Sequence, residues 1–325
     1  MHYYRYEHSF VLEEGTILNG ITIAYHTFGR INERGDNVVW VCHALTANSN
    51  AAEWWSGLIG PGMAIDTDKY FVVCDNILGS CYGTEADLFS GDRPTLVTIR
   101  DMVRVHRILR EHLGITRIRL CMGGSMGGYQ VLEWAIMEPS VVKELFLIGT
   151  AASESAWGIA IHTAQRLAIE ADPDWYGGGA AGLMAARAIG MLTYRTYSQF
   201  VEAQSGPAGV LEGFRAESYM KHQGEKLVRR FDPRNYWLLT RSMDSHNIAR
   251  GRGDNLEMVL RGIPQRTLVM GIDTDLLCPF VEQKFLAQHM PQARLIGIDS
   301  NFGHDGFLTE SAKIGEYLAE WLGEA

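Results

Sequence analysis

Four nearly uninterrupted apolar runs narrow what this chain can fold into: "NVVWVCHAL" (37–45), "YFVVCDNIL" (70–78), "RIRLCM" (117–122) and "VKELFLIGTAA" (142–152). A strand with one wet face alternates apolar and polar residues. A strand apolar at consecutive positions must be covered on both faces, which is the condition of a parallel sheet between helices. Helical patterns fall between these runs. In "TIRDMVRVHRILREHLG" (98–114), Ile99, Met102, Val103, Val105, Ile108, Leu109 and Leu113 form one stripe, and Gly114 marks the stop. "MGGYQVLEWAIMEP" (126–139) is a second helix, closed by Pro139. The alternation resumes late, with strands at "RTLVMGI" (266–272) and "ARLIGID" (293–299) and helices at "VEQKFLAQHM" (281–290) and "SAKIGEYLAEWLGEA" (311–325). The fold class is therefore α/β with a mostly parallel central sheet.

Two segments depart from the pattern. The first thirty residues read as a hairpin of "SFVLEEGTIL" and "ITIAYHTFGR", with Asn19-Gly20 as the turn. Between 153 and 257 no strand is evident. "WGIAIHTAQRLAIEA", "GGAAGLMAARAIGMLTY", "ESYMKHQGEKLVRRF" and "NYWLLTRSMDSHNIA" each read as helix, separated by Gly and Pro signals. The expected organisation is a core of residues 1–152 and 258–325, interrupted by a helical lid at 153–257 that covers the strand ends.

Composition excludes several classes. The chain of 325 residues is 46% apolar and 21% charged, with a formal net charge of −9. No Lys/Arg run exceeds two residues, so no nucleic-acid footprint is expected. No apolar run reaches the roughly 18 residues of a membrane span, and "MHYYRYEHSF" lacks the basic and apolar regions of a signal peptide. The five cysteines are scattered without a C-x-x-C pair. This argues against a disulfide framework or a zinc site and fits a reducing cytoplasm. No metal is expected, since Asp, His and Cys show no ligand spacing.

The chemistry concentrates at "RLCMGGSMGGYQVLEWA" (119–135). Gly123-Gly124-Ser125-Met126-Gly127 fits G-x-S-x-G between a strand and a helix, the context of a nucleophile elbow. The serine sits on a sharp turn, small neighbours let the two backbones pass, and the helix N-terminus points N–H groups at developing negative charge. A phosphate-cradling loop fits less well, since neither G-K-[ST] nor a G-x-G-x-x-G running from strand into helix is present. Such an elbow is followed in chain order by an acid and then a histidine. "DSNFGHDGFL" (299–308) supplies His304, which alone among the eleven histidines lies downstream of the last strand. Asp273 and Asp275 both follow "RTLVMGI", and position does not choose between them. The oxyanion donors are expected to be the backbone N–H groups of Leu45, in "CHALTANSN", and Met126.

Taken together, "HALTANS", "NILGSCYGT", "GGSMGG", "ESYMKHQGEKLVRRFD", "LLTRSMDSHN", "GIDTDLLCP" and "GHDGFL" resemble the homoserine O-acyltransferase family, from the first strands to the final helix. The resemblance implies an α/β-hydrolase fold with a helical lid, usually a homodimer through that lid. It also implies ping-pong transfer of an acyl group from acyl-CoA through the serine to the γ-hydroxyl of L-homoserine, in methionine biosynthesis. Carried over by position, Ser125 is the nucleophile, His304 the base, Asp275 rather than Asp273 the acid, and Asp305 the anchor for the substrate amino group. Arg230 and Tyr236 match positions near the substrate carboxylate, with Arg229 and Arg187 as competitors. No permanently bound cofactor is implied. Acetyl-CoA is the expected acyl donor, succinyl-CoA the alternative, and Lys226, Arg250 and Arg252 are candidates for its phosphates. An esterase on the same scaffold would share the triad. The chain departs from the family in a shorter loop at 84–94 and a compressed "DWYGGGAAGL" (174–183), which bear on access to the pocket.

Overall fold

A computed structural model describes residues 1–90, 94–175 and 177–323; residues 91–93 of the 84–94 loop, Tyr176, Glu324 and Ala325 lie outside the described residues. The chain begins with β1 (His2–Val11) and β2 (Ile17–Phe28), followed by β3 (Val38–Cys42), the short α1 (Ala51–Trp54), a two-residue pair β4 (Ile59–Gly60) and β5 (Ile65–Asp66), and β6 (Phe71–Asp75). Then come α2 (Ile99–His112), β7 (Leu120–Gly124), α3 (Met126–Met137) and β8 (Glu144–Ile148). Six helices follow: α4 (Ala156–Glu170), α5 (Ala180–Tyr194), α6 (Tyr197–Gln204), α7 (Arg215–Val228), α8 (Pro233–Asp244) and α9 (Leu256–Arg261). The chain closes with β9 (Arg266–Ile272), α10 (Phe280–His289), β10 (Ala293–Ile298), a 3-10 turn (Gly303–Asp305), α11 (Gly306–Thr309) and α12 (Ser311–Leu322).

Eight strands form one sheet in the order β1-β2-β6-β3-β7-β8-β9-β10. From β6 to β10 all neighbours are parallel, and β1 and β2 add antiparallel at one edge. The apolar runs are buried on both faces. Along β3, Val38, Trp40 and Cys42 join the core beneath α2 and α3, while Val39 and Val41 join the core beneath α12 and the segment around Trp55. α2 starts where Thr98 and Asp101 form a reciprocal capping box, and its apolar stripe faces the sheet.

The N-terminal hairpin turns elsewhere than expected. Its reversal lies at 12–16, where the Leu12 N–H donates to the Thr16 carbonyl at 2.8 Å and Gly15 takes φ +101°. Asn19-Gly20 lies inside β2, where the pairing register shifts between Tyr6 and Ser9 and Gly20 takes φ +85°. The positive φ that makes such a dipeptide a turn former serves a bulge equally well.

The lid helices lie between β8 and β9. α4, α5, α7 and α8 correspond to the four helical patterns, while α6 and α9 add short elements the periodicity did not mark. α9 straddles the expected boundary at 257 and packs against α10 of the core. Ile169, Leu183, Leu227, Phe231 and Leu239 of this region share one apolar cluster with α2 and α3, so the lid is packed onto the core. Where the chain leaves the core and returns, the two segments clasp: Glu154 N–H donates to the His246 carbonyl and Ile248 N–H to the Ala152 carbonyl. Arg250 and Arg252 secure this clasp. Arg250 pairs with Glu13 at 2.8 Å and Arg252 with Glu133 at 2.7 Å, while Arg100 reaches both acids at 3.0 Å. These two arginines, candidates for CoA phosphates or plain surface cations by sequence, are held in ion pairs with Glu13 and Glu133 and do not line the cavity above Ser125. Their side chains belong to a return loop facing buried Glu133, a placement local pattern does not reveal.

All five cysteines are free, and four are buried. Among the described residues no helix is long and apolar enough to cross a membrane.

Candidate active site

Ser125 stands between β7 and α3 with φ 55° and ψ −129°, one of two non-glycine residues with positive φ among the described residues. A serine is held there only because its surroundings enforce the turn. Its N–H donates to the Ile148 carbonyl at 3.0 Å, and its carbonyl accepts from the Thr150 hydroxyl at 2.9 Å. The two flanking glycines are required sterically: a β-carbon on Gly127 would overlap the Cys42 carbonyl, and one on Gly123 would overlap Gly127.

The loops after β9 and β10 bring the remaining groups to the serine. Thr274 ties the loops together, its hydroxyl donating to the Ser300 carbonyl at 2.6 Å and accepting from the Gly303 N–H at 3.2 Å. His304 Nε2 lies 2.9 Å from Ser125 Oγ, and His304 Nδ1 lies 2.7 Å from Asp275 Oδ2. The other carboxylate oxygen of Asp275 accepts the N–H groups of Leu277 and Cys278 at 2.8 and 2.9 Å, so its orientation is fixed. Asp273 instead accepts the Ser300 N–H at 3.1 Å. Of the two aspartates that position left open, Asp275 is the one in contact with the imidazole. Ser125, Asp275 and His304 are all buried. Burial alone would lower the His304 pKa. The charge and hydrogen bond of Asp275, with Asp305 and Glu154 further off, more than offset it, and the pKa lies above the ordinary histidine value. Such a line can deprotonate the serine hydroxyl and return the proton to a leaving group.

The Leu45 and Met126 N–H groups have no acceptor among the described residues, and Leu45 lines the same cavity as Ser125. The turn carrying Leu45 is held from behind. His43 Nε2 accepts the Ile77 N–H at 3.0 Å, and its Nδ1 lies 2.9 Å from the Ala44 carbonyl. Burial lowers its pKa to about 4, so it is a neutral strut.

The cavity above Ser125 has a volume of about 550 Å³. Arg187, Lys226, Arg230, Asp305 and Glu53 are its charged lining residues besides His162 and His304. Asp305 pairs with Arg195 at 2.8 Å. Burial raises its pKa, against the opposing charges of Arg195, His304 and Arg187. Arg230 sits at the exposed rim, donating to the Thr46 carbonyl and the Tyr82 hydroxyl at 2.6 Å. Arg187 is deeper. Its Nε is buried without a hydrogen-bond partner, and its guanidinium lies 5.3 Å over the Tyr194 ring, which in turn is 6.0 Å from the His304 ring. Arg229 pairs with Glu225 at the surface and does not line the cavity.

Tyr236 lies one layer behind the cavity wall. It is fully buried in α8 and absent from the cavity wall, and burial and Tyr194 hold its phenol well above the usual range. It stands beside Tyr194 and Arg187, which line the cavity. Arg195 and Tyr194, the pair ending α5, are site residues that sequence reasoning did not single out.

A family model described as alpha/beta hydrolase fold matches residues 37–311. A homoserine O-acetyltransferase of Trichormus variabilis is 44% identical over 97% of this chain and 92% of its own length. The chain belongs to the homoserine O-acetyltransferase family. A second member, from Nostoc punctiforme, is 43% identical over 98% of this chain and 95% of its own length. The crystal structure of the homoserine O-acetyltransferase from Staphylococcus aureus superposes with a TM-score of 0.84 at 29% identity, covering 99% of this chain and 94% of that one. An esterase superposes with a TM-score of 0.89 at 22% identity, covering 99% of both chains, a likeness of fold alone. The homoserine O-acetyltransferase family thus accounts for core and lid together, as the α/β-hydrolase fold class does for the sheet.

Proposed function

We propose that this chain transfers an acetyl group from acetyl-CoA to the γ-hydroxyl of L-homoserine by a ping-pong mechanism, in methionine biosynthesis in the cytoplasm. The observation that carries the reading is the Ser125–His304–Asp275 line opening into a cavity in which Asp305, next to His304 in the chain, and the half-buried Arg187, whose Nε has no hydrogen-bond partner among the described residues, supply one negative and one positive group. An α-amino acid needs one negative and one positive anchor, and a planar guanidinium fits a carboxylate.

In the first half-reaction, His304 takes the Ser125 proton as Oγ attacks the thioester carbonyl. The Leu45 and Met126 N–H groups stabilise the oxyanion. The C–S bond breaks, and the CoA thiolate leaves with the proton from His304. In the second, His304 takes the proton of the homoserine γ-hydroxyl, the oxygen attacks the acetyl-Ser125 carbonyl, and the proton returns to Ser125 as O-acetylhomoserine forms. Asp275 keeps Nδ1 protonated, so Nε2 presents its lone pair to the serine. Asp305 receives the substrate amino group, and Arg187, rather than the rim residue Arg230, receives its carboxylate. Lys226 and Arg230, at the mouth, are then left for the phosphates of the donor. Association of two copies through the inserted helices belongs to the same reading, and exposed apolar side chains there, Leu167, Leu192 and Tyr197 among them, are compatible with it.

Water is the competing acceptor for the same acyl-enzyme, and exclusion of water together with the held acceptor decides the outcome. The experiment is a partition measurement with acetyl-CoA, in which free CoA and O-acetylhomoserine are quantified with and without L-homoserine. Near-equal yields of CoA and O-acetylhomoserine, with slow CoA release when homoserine is omitted, are expected. Equal CoA release in both conditions, with acetate as the product, would establish a hydrolase instead. Replacing acetyl-CoA by succinyl-CoA reads the donor preference in the same assay.

A further inference from the structure

Behind the elbow lies a buried polar chain that the reaction above does not use. Asp75 ends β6, His106 lies in α2 and Gln130 in α3; all three are buried. The Gln130 side-chain amide donates to two carbonyls, that of His43 at 3.0 Å and that of Met126 at 3.1 Å. Its Oε1 lies 3.0 Å from His106 Nε2, and His106 Nδ1 lies 2.6 Å from Asp75 Oδ2. Both amide hydrogens of Gln130 are thus used on carbonyls, which turns Oε1 toward His106 and makes Nε2 a donor. Trp134 stacks on the His106 ring at 5.4 Å and holds it in plane.

The two carbonyls are not arbitrary. His43 begins the turn that carries the Leu45 N–H, and Met126 carries the other proposed oxyanion donor. One side chain therefore spans the two backbone segments that meet at the oxyanion, where the strand and helix pass so closely that Gly127 allows no β-carbon. Oxyanion donors act only when their separation is set before charge develops, because their advantage over water is the absence of reorganisation. We infer that Gln130, oriented by the His106–Asp75 pair, is a positioning residue that sets the spacing of the Leu45 and Met126 amides. The inference rests on Ser125 acting as the nucleophile.

The test uses the full-length protein carrying Gln130→Met, which conserves volume and removes the amide, and Gln130→Asn, which keeps the amide but is one methylene too short to span both carbonyls. Acylation is followed with p-nitrophenyl acetate, and oxyanion-hole geometry with an alkylboronic acid, which adds to the serine as a tetrahedral anion. Loss of one oxyanion donor costs about 10²–10³ in rate, and displacement of a donor costs less. Each variant is therefore expected to acylate about 10–100-fold more slowly, with boronate affinity falling in parallel and KM for the ester within about twofold. A purely structural role would lower the melting temperature and leave boronate affinity unchanged in the folded protein; that result overturns the inference. A wild-type protein that neither acylates nor binds boronate would refute the nucleophile assignment itself, a separate failure.

Discussion

Asp275→Asn is expected to lower kcat about 10⁴-fold, the scale of losing the triad acid elsewhere, while leaving the protein folded. Asparagine can still accept the Leu277 and Cys278 N–H groups through its oxygen. Its NH₂ then faces His304 Nδ1, which must become an acceptor, so Nε2 carries the proton and no lone pair remains for Ser125. The pH profile changes in a defined direction. In the parent protein the neutral imidazole is required, and the His304 pKa is raised, so activity is present above a pKa higher than the ordinary 6.5 and is lost as pH falls through it. Removing the Asp275 charge removes the main attraction that offsets burial. The acid limb of the residual activity is therefore expected to move to lower pH, and rate measurements on both proteins over the acid range check this sign. An acid limb that stays in place would detach Asp275 from the histidine's titration.

The second large effect is on the acceptor. Arg187→Met is expected to reduce kcat/KM for L-homoserine about 100-fold, equivalent to about 3 kcal/mol, the scale of a charge-assisted pair in a water-poor site. The half-reaction with acetyl-CoA should change little. Arg230→Met is expected to do the reverse, raising KM for acetyl-CoA and altering homoserine kcat/KM by less than about tenfold, because Arg230 is exposed and already bound to Thr46 and Tyr82. Steady-state kinetics with each substrate varied against the other separate the two. If Arg230 instead carries the homoserine effect, the carboxylate lies at the rim and the assignment of Arg187 is wrong.

These two arginines also illustrate what a sequence conveys. Strand position was legible because burial on both faces demands consecutive apolar residues, and "RTLVMGI" coincides with β9 from Arg266 to Ile272. Chain order pointed to Ser125, His304 and either Asp273 or Asp275, since each sits just beyond a strand end of one sheet; the family resemblance favoured Asp275, which is the one in contact with the imidazole. Direction of side chains inside the lid was not legible. Arg187 projects from the middle of α5, whereas Arg229 and Arg230 lie in the turn that ends α7, and which of them reaches the cavity is set by how those elements pack. Tyr236 faced inward for the same reason. Arg250 and Arg252 looked like free surface cations because their partners, Glu13 and Glu133, are far away in the chain. Asn19-Gly20 supplied the right backbone conformation but the wrong context, a bulge inside β2 in place of the reversal at Gly15. Gln130 was hidden within a helical pattern, and its partners His43 and His106 come from other elements.

The central claim is that Ser125 holds an acetyl group that waits for homoserine rather than for water. Intact-protein mass spectrometry after mixing with acetyl-CoA alone tests it most directly. The account predicts an acetyl adduct, mapped to Ser125 by peptide analysis, that persists without homoserine and is discharged on its addition as O-acetylhomoserine appears. An adduct that decays equally fast with and without homoserine, or one on another residue, would contradict it.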